Sequence, residues 1–146
     1  MKTVIHGDQH ELKKSRATLQ KIANWTCEKL KLYSESLAVI IIDDEALRRM
    51  HDQYLGDDTY TDVMTFNLGE GRAVEGEIYI SLDRAREQAA AYGVLLPEEL
   101  ARLIIHGILH LAGWDDREPA DRREMKMQED ALVAEARDLF GLGMRD

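Results

Sequence analysis

The sequence has little of what ties a chain together covalently or holds it in a membrane. Its 146 residues contain one cysteine, Cys27, and two prolines, Pro97 and Pro119. A single cysteine excludes a disulfide framework within the chain and favours a reducing compartment. No apolar run approaches the roughly 20 residues of a membrane-spanning helix, and the N-terminal apolar run is too short for a signal peptide. We therefore expect a cytoplasmic protein without a membrane partner.

Basic residues are also in the minority, and they are unevenly distributed. The formal net charge of −9 argues against indiscriminate binding of nucleic acid, because attraction to phosphate is mainly electrostatic. Residues 1–31 nevertheless hold seven Lys/Arg against three Asp/Glu. This basic segment is either a solvated helix face or a local surface for an anionic ligand.

A length of 146 residues predicts a single domain, 1–146. Apolar periodicity predicts that its strands and helices follow the order β-α-β-α-β-β-α-α-α. This order suggests an α+β fold with a roughly four-stranded mixed sheet and about five helices. The helix that begins near Pro97 is apolar nearly all round, so it should be central and buried. The predicted strands are 2–7, 38–43, 62–68 and 76–82, and the predicted helices are 11–33, 43–55, 83–92, 97–112 and 118–140.

The segment HGILHLAGWDD, which begins at His106, carries the strongest chemical signal. His106 and His110 are four residues apart on the predicted buried helix, so both imidazoles lie on one face. Helical histidine pairs that bind divalent metals use this spacing. Gly113 lets the chain turn back, so that Asp115 or Asp116 can reach the same point. The pattern predicts a three-ligand site with an open coordination position, as in catalytic zinc sites.

The residues around the two histidines decide between a metal site and simpler explanations. A lone buried histidine is more often a core residue with satisfied hydrogen bonds than a ligand, but a matched pair among Ile and Leu favours a metal. Gly107 stands where H-E-x-x-H metalloproteases place their general base. Glycine cannot take up a proton, so a protease of that mechanism is disfavoured. The segment therefore predicts a metal and says little about the reaction.

These residues resemble the signature of the YbeY family of bacterial rRNA-maturation endoribonucleases, whose usual form is H-G-x-L-H-L-x-G-[YW]-D-H. Three other segments are similar to family motifs. YTDVMTF (60–66) resembles P-T-D-V-L-S-F, GEIYIS (76–81) resembles G-D-I-x-I-S, and MHDQYLGDD (50–58) falls where the family has L-N-x-x-Y-R-G-x-D. The resemblance covers about residues 36–132, whereas the first 35 residues match only as a strand followed by a helix.

The resemblance implies a single-domain α+β fold and a zinc ion held by three ligands. It also implies a role in small-subunit rRNA 3′-end processing and ribosome quality control, with single-stranded RNA and small-subunit ribosomal proteins as partners. His106 and His110 match the first two family ligands, and Asp116 stands where the family has a third histidine. We expect one divalent ion on His106, His110 and Asp116, zinc first, with manganese or nickel as alternatives.

Two departures from the family pattern bear on reactivity. A carboxylate at Asp116 lowers the net charge of the site by one, so a bound water should be acidified less and harder metals such as manganese should be favoured somewhat. Leu55 replaces the arginine of Y-R-G, and leucine can neither clamp phosphate nor stabilise transition-state charge. Arg48, Arg49, Arg72 and the basic N-terminal helix are candidate substitutes.

The predicted function is a metal-dependent endoribonuclease for single-stranded RNA in rRNA maturation. One alternative is a ribosome-associated factor that keeps a structural metal site and has little nuclease activity. Another is a metal-dependent hydrolase of peptides or small molecules, which needs a carboxylate base from elsewhere, such as Asp62 or Glu77. No catalytic residue and no oligomeric state are predicted. Asp115 should cap the turn, Thr61 could line the site, and His51 is expected on the surface.

Overall fold

Four strands form one mixed sheet in the order β1-β2-β4-β3. The computed structural model describes residues 2–7, 9–32, 34–70 and 74–142. Strands β1, β2 and β4 run parallel to one another, while β3 runs antiparallel to β4 and has no second strand partner among the described residues. The strands are β1 (Lys2–His6), β2 (Ser34–Ile42), β3 (Val63–Asn67) and β4 (Val74–Ser81).

The described part of the chain contains five α-helices beside the sheet, so the predicted α+β fold with a four-stranded mixed sheet is confirmed. None of the described helices is both long and apolar enough to span a membrane. The helices are α1 (Arg16–Lys29), α2 (Asp44–Leu55), α3 (Leu82–Tyr92), α4 (Leu96–Leu111) and α5 (Pro119–Phe140), with a short 3-10 helix at His10–Leu12.

The first helix begins later than its periodicity predicts. The chain makes the short 3-10 helix where the continuous helix from residue 11 was expected, and α1 begins only at Arg16. Leu12 on this 3-10 helix is fully buried, so the first apolar residue of the predicted periodicity belongs to the core but not to α1. The predicted end of this helix at Tyr33, like Arg72, lies outside the described residues.

Local capping and a proline in the first turn account for the starts of α2, α3 and α4. The Asp43 carboxylate accepts a hydrogen bond from the Ala46 N–H at the start of α2, and the Ser81 hydroxyl accepts one from the Arg84 N–H at the start of α3. Pro97 lies in the first turn of α4, where its missing N–H costs nothing.

Helix α4 is the central element that positions the histidines. It packs on β3 and β4 and contacts α1, α3 and α5. Because its sequence is apolar nearly all round, this helix was predicted to be central and buried, and its position confirms that prediction. Its buried residues are Glu98, Glu99, Leu100, Ala101, Leu103, Ile104, Ile105, Gly107, Ile108 and Leu109.

Gly107 is a point of close approach between α4 and the sheet. A Cβ at this position would lie 2.8–3.0 Å from three side-chain carbons of Ile78 on β4. We expect Gly107→Ala to lower the free energy of unfolding by about 1–3 kcal/mol through overpacking, although alanine normally stabilises a helix relative to glycine by about 1 kcal/mol. Urea unfolding of the two proteins measures the change. A more stable variant would show that α4 can move away from β4 without cost.

Candidate metal centre

Three side chains from the end of α4 and the following turn meet at one point. His106 Nε2 and His110 Nε2 are 3.1 Å apart. Asp116 Oδ2 lies 3.5 Å from His110 Nε2 and 3.9 Å from His106 Nε2. Two ligands of a tetrahedral zinc ion lie roughly 3.3 Å apart when metal–ligand distances are about 2.0–2.1 Å. The spacing of this His106–His110–Asp116 cluster therefore fits a single zinc-sized ion.

The hydrogen bonds at Nδ1, on the side of each imidazole that faces away from the cluster, also fit a cation at the cluster. His106 Nδ1 lies 2.7 Å from Glu129 Oε1, and His110 Nδ1 lies 3.1 Å from the Trp114 carbonyl oxygen. A carboxylate and a carbonyl only accept hydrogen bonds, so both Nδ1 atoms carry the proton in the neutral rings. Both Nε2 atoms then present lone pairs to each other and to the Asp116 carboxylate. That arrangement is repulsive by itself and suits a cation.

The turn after α4 brings Asp116 to the histidines. Gly113 has φ 101°, a left-handed conformation that favours glycine. The Trp114 N–H donates to the Leu109 carbonyl, which closes the end of the helix. The Asp115 carboxylate accepts a hydrogen bond from the Arg117 N–H at 3.1 Å, so this residue caps the turn as predicted.

Glu129 on α5 contacts His106, and the sequence analysis did not single it out. Its side chain is only 7% exposed, and besides His106 it contacts Arg102 at 2.7 Å and Lys126 at 3.3 Å. A carboxylate that orients a metal-binding histidine is a common outer partner in zinc sites. The sequence does contain a signal, because Glu129 interrupts the buried stripe of α5 formed by Met125, Leu132, Val133 and Ala136.

The electrostatics of this pair favour a charged carboxylate beside a polarised imidazole. Burial alone lowers the pKa of His106, but the hydrogen bond and charge of Glu129 outweigh it, and the net pKa is raised. Burial raises the pKa of Glu129, but hydrogen bonds from His106 and Arg102 outweigh that effect and lower it overall. A metal held by His106 would compete with protons for the same ring, so metal affinity should fall in acid.

Removing the charge of Glu129 should weaken metal binding. We expect Glu129→Gln to lower zinc affinity by roughly 10- to 100-fold, because outer partners of this kind orient the ligand and raise its basicity. Competition with a chromophoric chelator at alkaline pH, where protonation of His106 does not interfere, measures the change. Asp130→Asn is the matched control, since Asp130 pairs with the same Arg102 and Lys126 but not with His106. Equal affinities for both variants would contradict an orienting role for Glu129.

The His106–His110–Asp116 cluster lies in the wall of one cavity, and two of its members also line an adjoining cavity. The larger, of about 610 Å³, runs along the edge strand β3 and includes Leu55 and Arg117. The smaller, of about 210 Å³, lies between α4 and α5 and includes Glu99 and Glu129. Three residues line both cavities: Asp62, His106 and Asp116.

The other predicted residues divide between the cavities and the rest of the surface. Asp62, Thr61 and Leu55 line the larger cavity, whereas Glu77 accepts a hydrogen bond from the Tyr79 hydroxyl and is not in either wall. His51, expected simply on the surface, also lines the larger cavity, with Nδ1 3.0 Å from the Thr59 carbonyl oxygen.

Two of the candidate substitutes for the missing arginine, Arg48 and Arg49, lie outside the walls of the cavities that contain the cluster. Arg48 is held by the Asp58 carboxylate at 2.9 Å and stacks over the Tyr60 ring at 4.9 Å. Arg49 is not in the wall of either cavity. Among the described residues, Arg117 is the only lysine or arginine in the wall of the larger cavity.

Comparison with known proteins identifies relatives along almost the whole chain. The sequence profile of the family described as endoribonuclease YbeY matches residues 4–137. Proteins named endoribonuclease YbeY are similar, among them one from Bacteroides thetaiotaomicron (39% identity over 121 residues, 83% of this chain and 88% of that protein). Another, from Christiangramia forsetii, is 36% identical over 118 residues, 79% of this chain and 82% of that protein.

A solved structure supports the same relationship at the level of the fold. The solution structure of TM1509 from Thermotoga maritima has a TM-score of 0.61 and 28% sequence identity, and the match covers 94% of this chain and 90% of that one. Because the family profile spans more than nine-tenths of the sequence and the fold agrees, the chain belongs to the endoribonuclease YbeY family.

Proposed function

We propose that this chain is a metal-dependent endoribonuclease that cleaves single-stranded RNA during maturation of small-subunit rRNA, in the cytoplasm. The observation that carries the proposal is the His106–His110–Asp116 cluster in the wall of a long cavity on a YbeY-family fold. A buried, free Cys27, whose pKa burial raises to about 11, is compatible with a reducing compartment.

His106, His110 and Asp116 would hold the ion through Nε2, Nε2 and a carboxylate oxygen. Zinc is proposed first, with manganese or nickel as alternatives, because two imidazoles and one carboxylate suit all three. When bound, the ion would supply Lewis-acid stabilisation of charge on the scissile phosphate. The residues of the chain keep the ligands oriented, through Glu129 on one histidine and the Trp114 carbonyl on the other.

The walls and rim of the larger cavity suit single-stranded RNA. Phe66 lines the cavity and makes edge contacts with Tyr54 and Tyr79 at centroid distances of 5.4 and 5.8 Å. Exposed aromatic rings are the surfaces on which unpaired bases stack. Tyr54 and Leu55 are 59% and 64% exposed, and Arg117 provides a cation for phosphate.

The proposal extends to partners that the family resemblance implies. We propose precursor rRNA as the substrate, small-subunit ribosomal proteins as partners that present it, and ribosome quality control as the wider role. Of the two alternatives, hydrolysis of peptides or small molecules gains some support because Asp62 lies in the same cavity walls. The endoribonuclease names of the relatives favour RNA instead.

Cleavage of a labelled single-stranded RNA by the purified protein tests the proposal. We expect cleavage that a chelator abolishes and that zinc or manganese restores, and no comparable hydrolysis of a peptide of similar length. A parallel pulldown with ribosomal proteins separates the remaining alternative. Binding to ribosomal proteins without metal-sensitive cleavage would overturn the nuclease assignment in favour of a ribosome-associated factor.

A further inference from the structure

We propose that Asp62 is the general base of the reaction at the His106–His110–Asp116 cluster, an inference that rests on the proposed function. Apart from two members of the cluster, Asp62 is the only described residue that lines both cavities. Gly107 cannot supply the base that zinc proteases carry on the histidine helix, so a base must come from another segment. The loop before β3 places a carboxylate in the required cavity.

The Asp62 side chain is held in place with one oxygen available. Its Oδ2 accepts a hydrogen bond from Gln88 Nε2 on α3 at 3.2 Å. Its backbone carbonyl accepts a hydrogen bond from the Ser81 N–H at 3.0 Å, which ties the loop to the end of β4. Oδ1 has no hydrogen-bond partner among the described residues and can accept a proton from a molecule in the cavity.

The other carboxylates of the larger cavity are already engaged. Asp116 belongs to the metal-binding cluster. Asp115 caps the turn and pairs with the Arg117 guanidinium at 3.4 Å. His51 lines only the larger cavity, and its Nδ1 is bonded to the Thr59 carbonyl. Among the carboxylates of the larger cavity, Asp62 is therefore the one that is half-buried and keeps an oxygen available.

The charges around Asp62 agree with a position close to the cluster. Burial lowers the pKa of His106, and Glu129 raises it. The Asp62 carboxylate also raises this pKa, by less than Glu129 does. It also contributes to raising the pKa of Glu99, where burial is the main cause. The titratable and charged groups that share its cavities are His51, Glu99, Arg102, His106, His110, Asp115, Asp116, Arg117, Arg122, Lys126 and Glu129, with Tyr92 at the rim.

The step that Asp62 serves is hydrolysis of one phosphodiester bond. The oxygen of a water molecule forms a bond to phosphorus while its proton passes to Asp62. The bond from phosphorus to the leaving sugar oxygen breaks, and that oxygen keeps the electron pair. Asp62 then gives its proton to the leaving oxygen, so the products are a phosphomonoester and an alcohol, and the carboxylate is regenerated.

Asp62→Asn tests the assignment, because the amide keeps the shape of the side chain but cannot take the proton. We expect kcat for RNA cleavage to fall by roughly 100-fold or more, with KM and bound metal close to their wild-type values. Asp58→Asn is the matched control. Asp58 lies in the same loop and pairs with Arg48, outside both cavities. A wild-type kcat in Asp62→Asn would overturn the proposal.

A second measurement does not depend on cleavage. In the cobalt(II)-substituted protein, the visible spectrum reports on the surroundings of the ion, and its change with pH has a midpoint. A negative charge beside the open coordination position opposes loss of a proton from a water molecule held at that position. Asp62→Asn removes this charge and should therefore lower the midpoint by about one pH unit. An unchanged midpoint would overturn the placement of Asp62. If the wild-type chain cleaves no RNA, the proposed function fails, while the cobalt titration still decides on Asp62.

Discussion

Replacing both His106 and His110 with alanine should leave the purified protein with almost no bound metal, where the wild type should carry about one ion per chain. The two imidazoles would supply two of the three ligand atoms of the cluster. Structural zinc sites with four ligands are worth about 10–16 kcal/mol, so each ligand contributes roughly 3 kcal/mol. Loss of two ligands should therefore weaken binding by about 10⁴-fold.

Elemental analysis of the purified proteins measures this difference directly. His51→Gln is the matched control, because it removes an imidazole from the same cavity but not from the cluster. We expect the control to keep its metal. Near-stoichiometric metal in the double variant would show that the ion is held elsewhere, and it would remove the basis for a nuclease mechanism at this site.

Glu99→Gln should change the pH dependence of the free energy of unfolding. The expected change is about as large as the loss of stability caused by a large-to-small core substitution. Glu99 on α4 is 1% exposed, and its Oε2 is buried without a hydrogen-bond partner. Burial is the main cause that raises the pKa of Glu99 from 4.5 to about 7. Repulsion from Glu129 and Asp62 also raises it, and the attraction of Arg102, which lowers it, is outweighed. Glutamine has a similar shape and carries no charge at any of these pH values.

The direction of the effect follows from where the proton is bound. Between pH 4.5 and 7 the folded wild type holds a proton on Glu99 that the unfolded chain has lost, so its free energy of unfolding falls as pH rises. This stabilisation is complete below pH 4.5 and is lost as pH rises through about 7. The stability of Glu99→Gln relative to wild type should therefore increase by about 3 kcal/mol between pH 4.5 and 8.

Urea unfolding of both proteins at pH 4.5 and 8, in the same metal state, measures that change. Glu98→Gln is the control on the neighbouring position of the same helix. The Glu98 carboxylate is also buried but accepts a hydrogen bond from Arg137 at 2.6 Å, so its loss should destabilise the protein at pH 8. A constant difference between Glu99→Gln and wild type across the pH range would show that Glu99 is ionised in the folded state.

Much of the fold was predictable because its signals are local. Capping residues such as Asp43 and Ser81 and the proline at Pro97 mark helix starts through contacts within one turn. The four strands and five helices were all predicted in order. The helix start at residue 11 was wrong because burial of Leu12 in a 3-10 helix depends on what it packs against, which periodicity does not show.

The same division between local and distant contacts holds for the candidate site. The sequence by itself determined the cluster, since a helix places His106 and His110 on one face and Gly113 turns Asp116 back within a few residues. Only the tertiary structure decided that Glu129 orients His106 and that Asp62 shares its cavities. Those residues come from α5 and from the loop before β3. Their positions depend on how whole elements pack around α4, and no spacing along the chain encodes that packing.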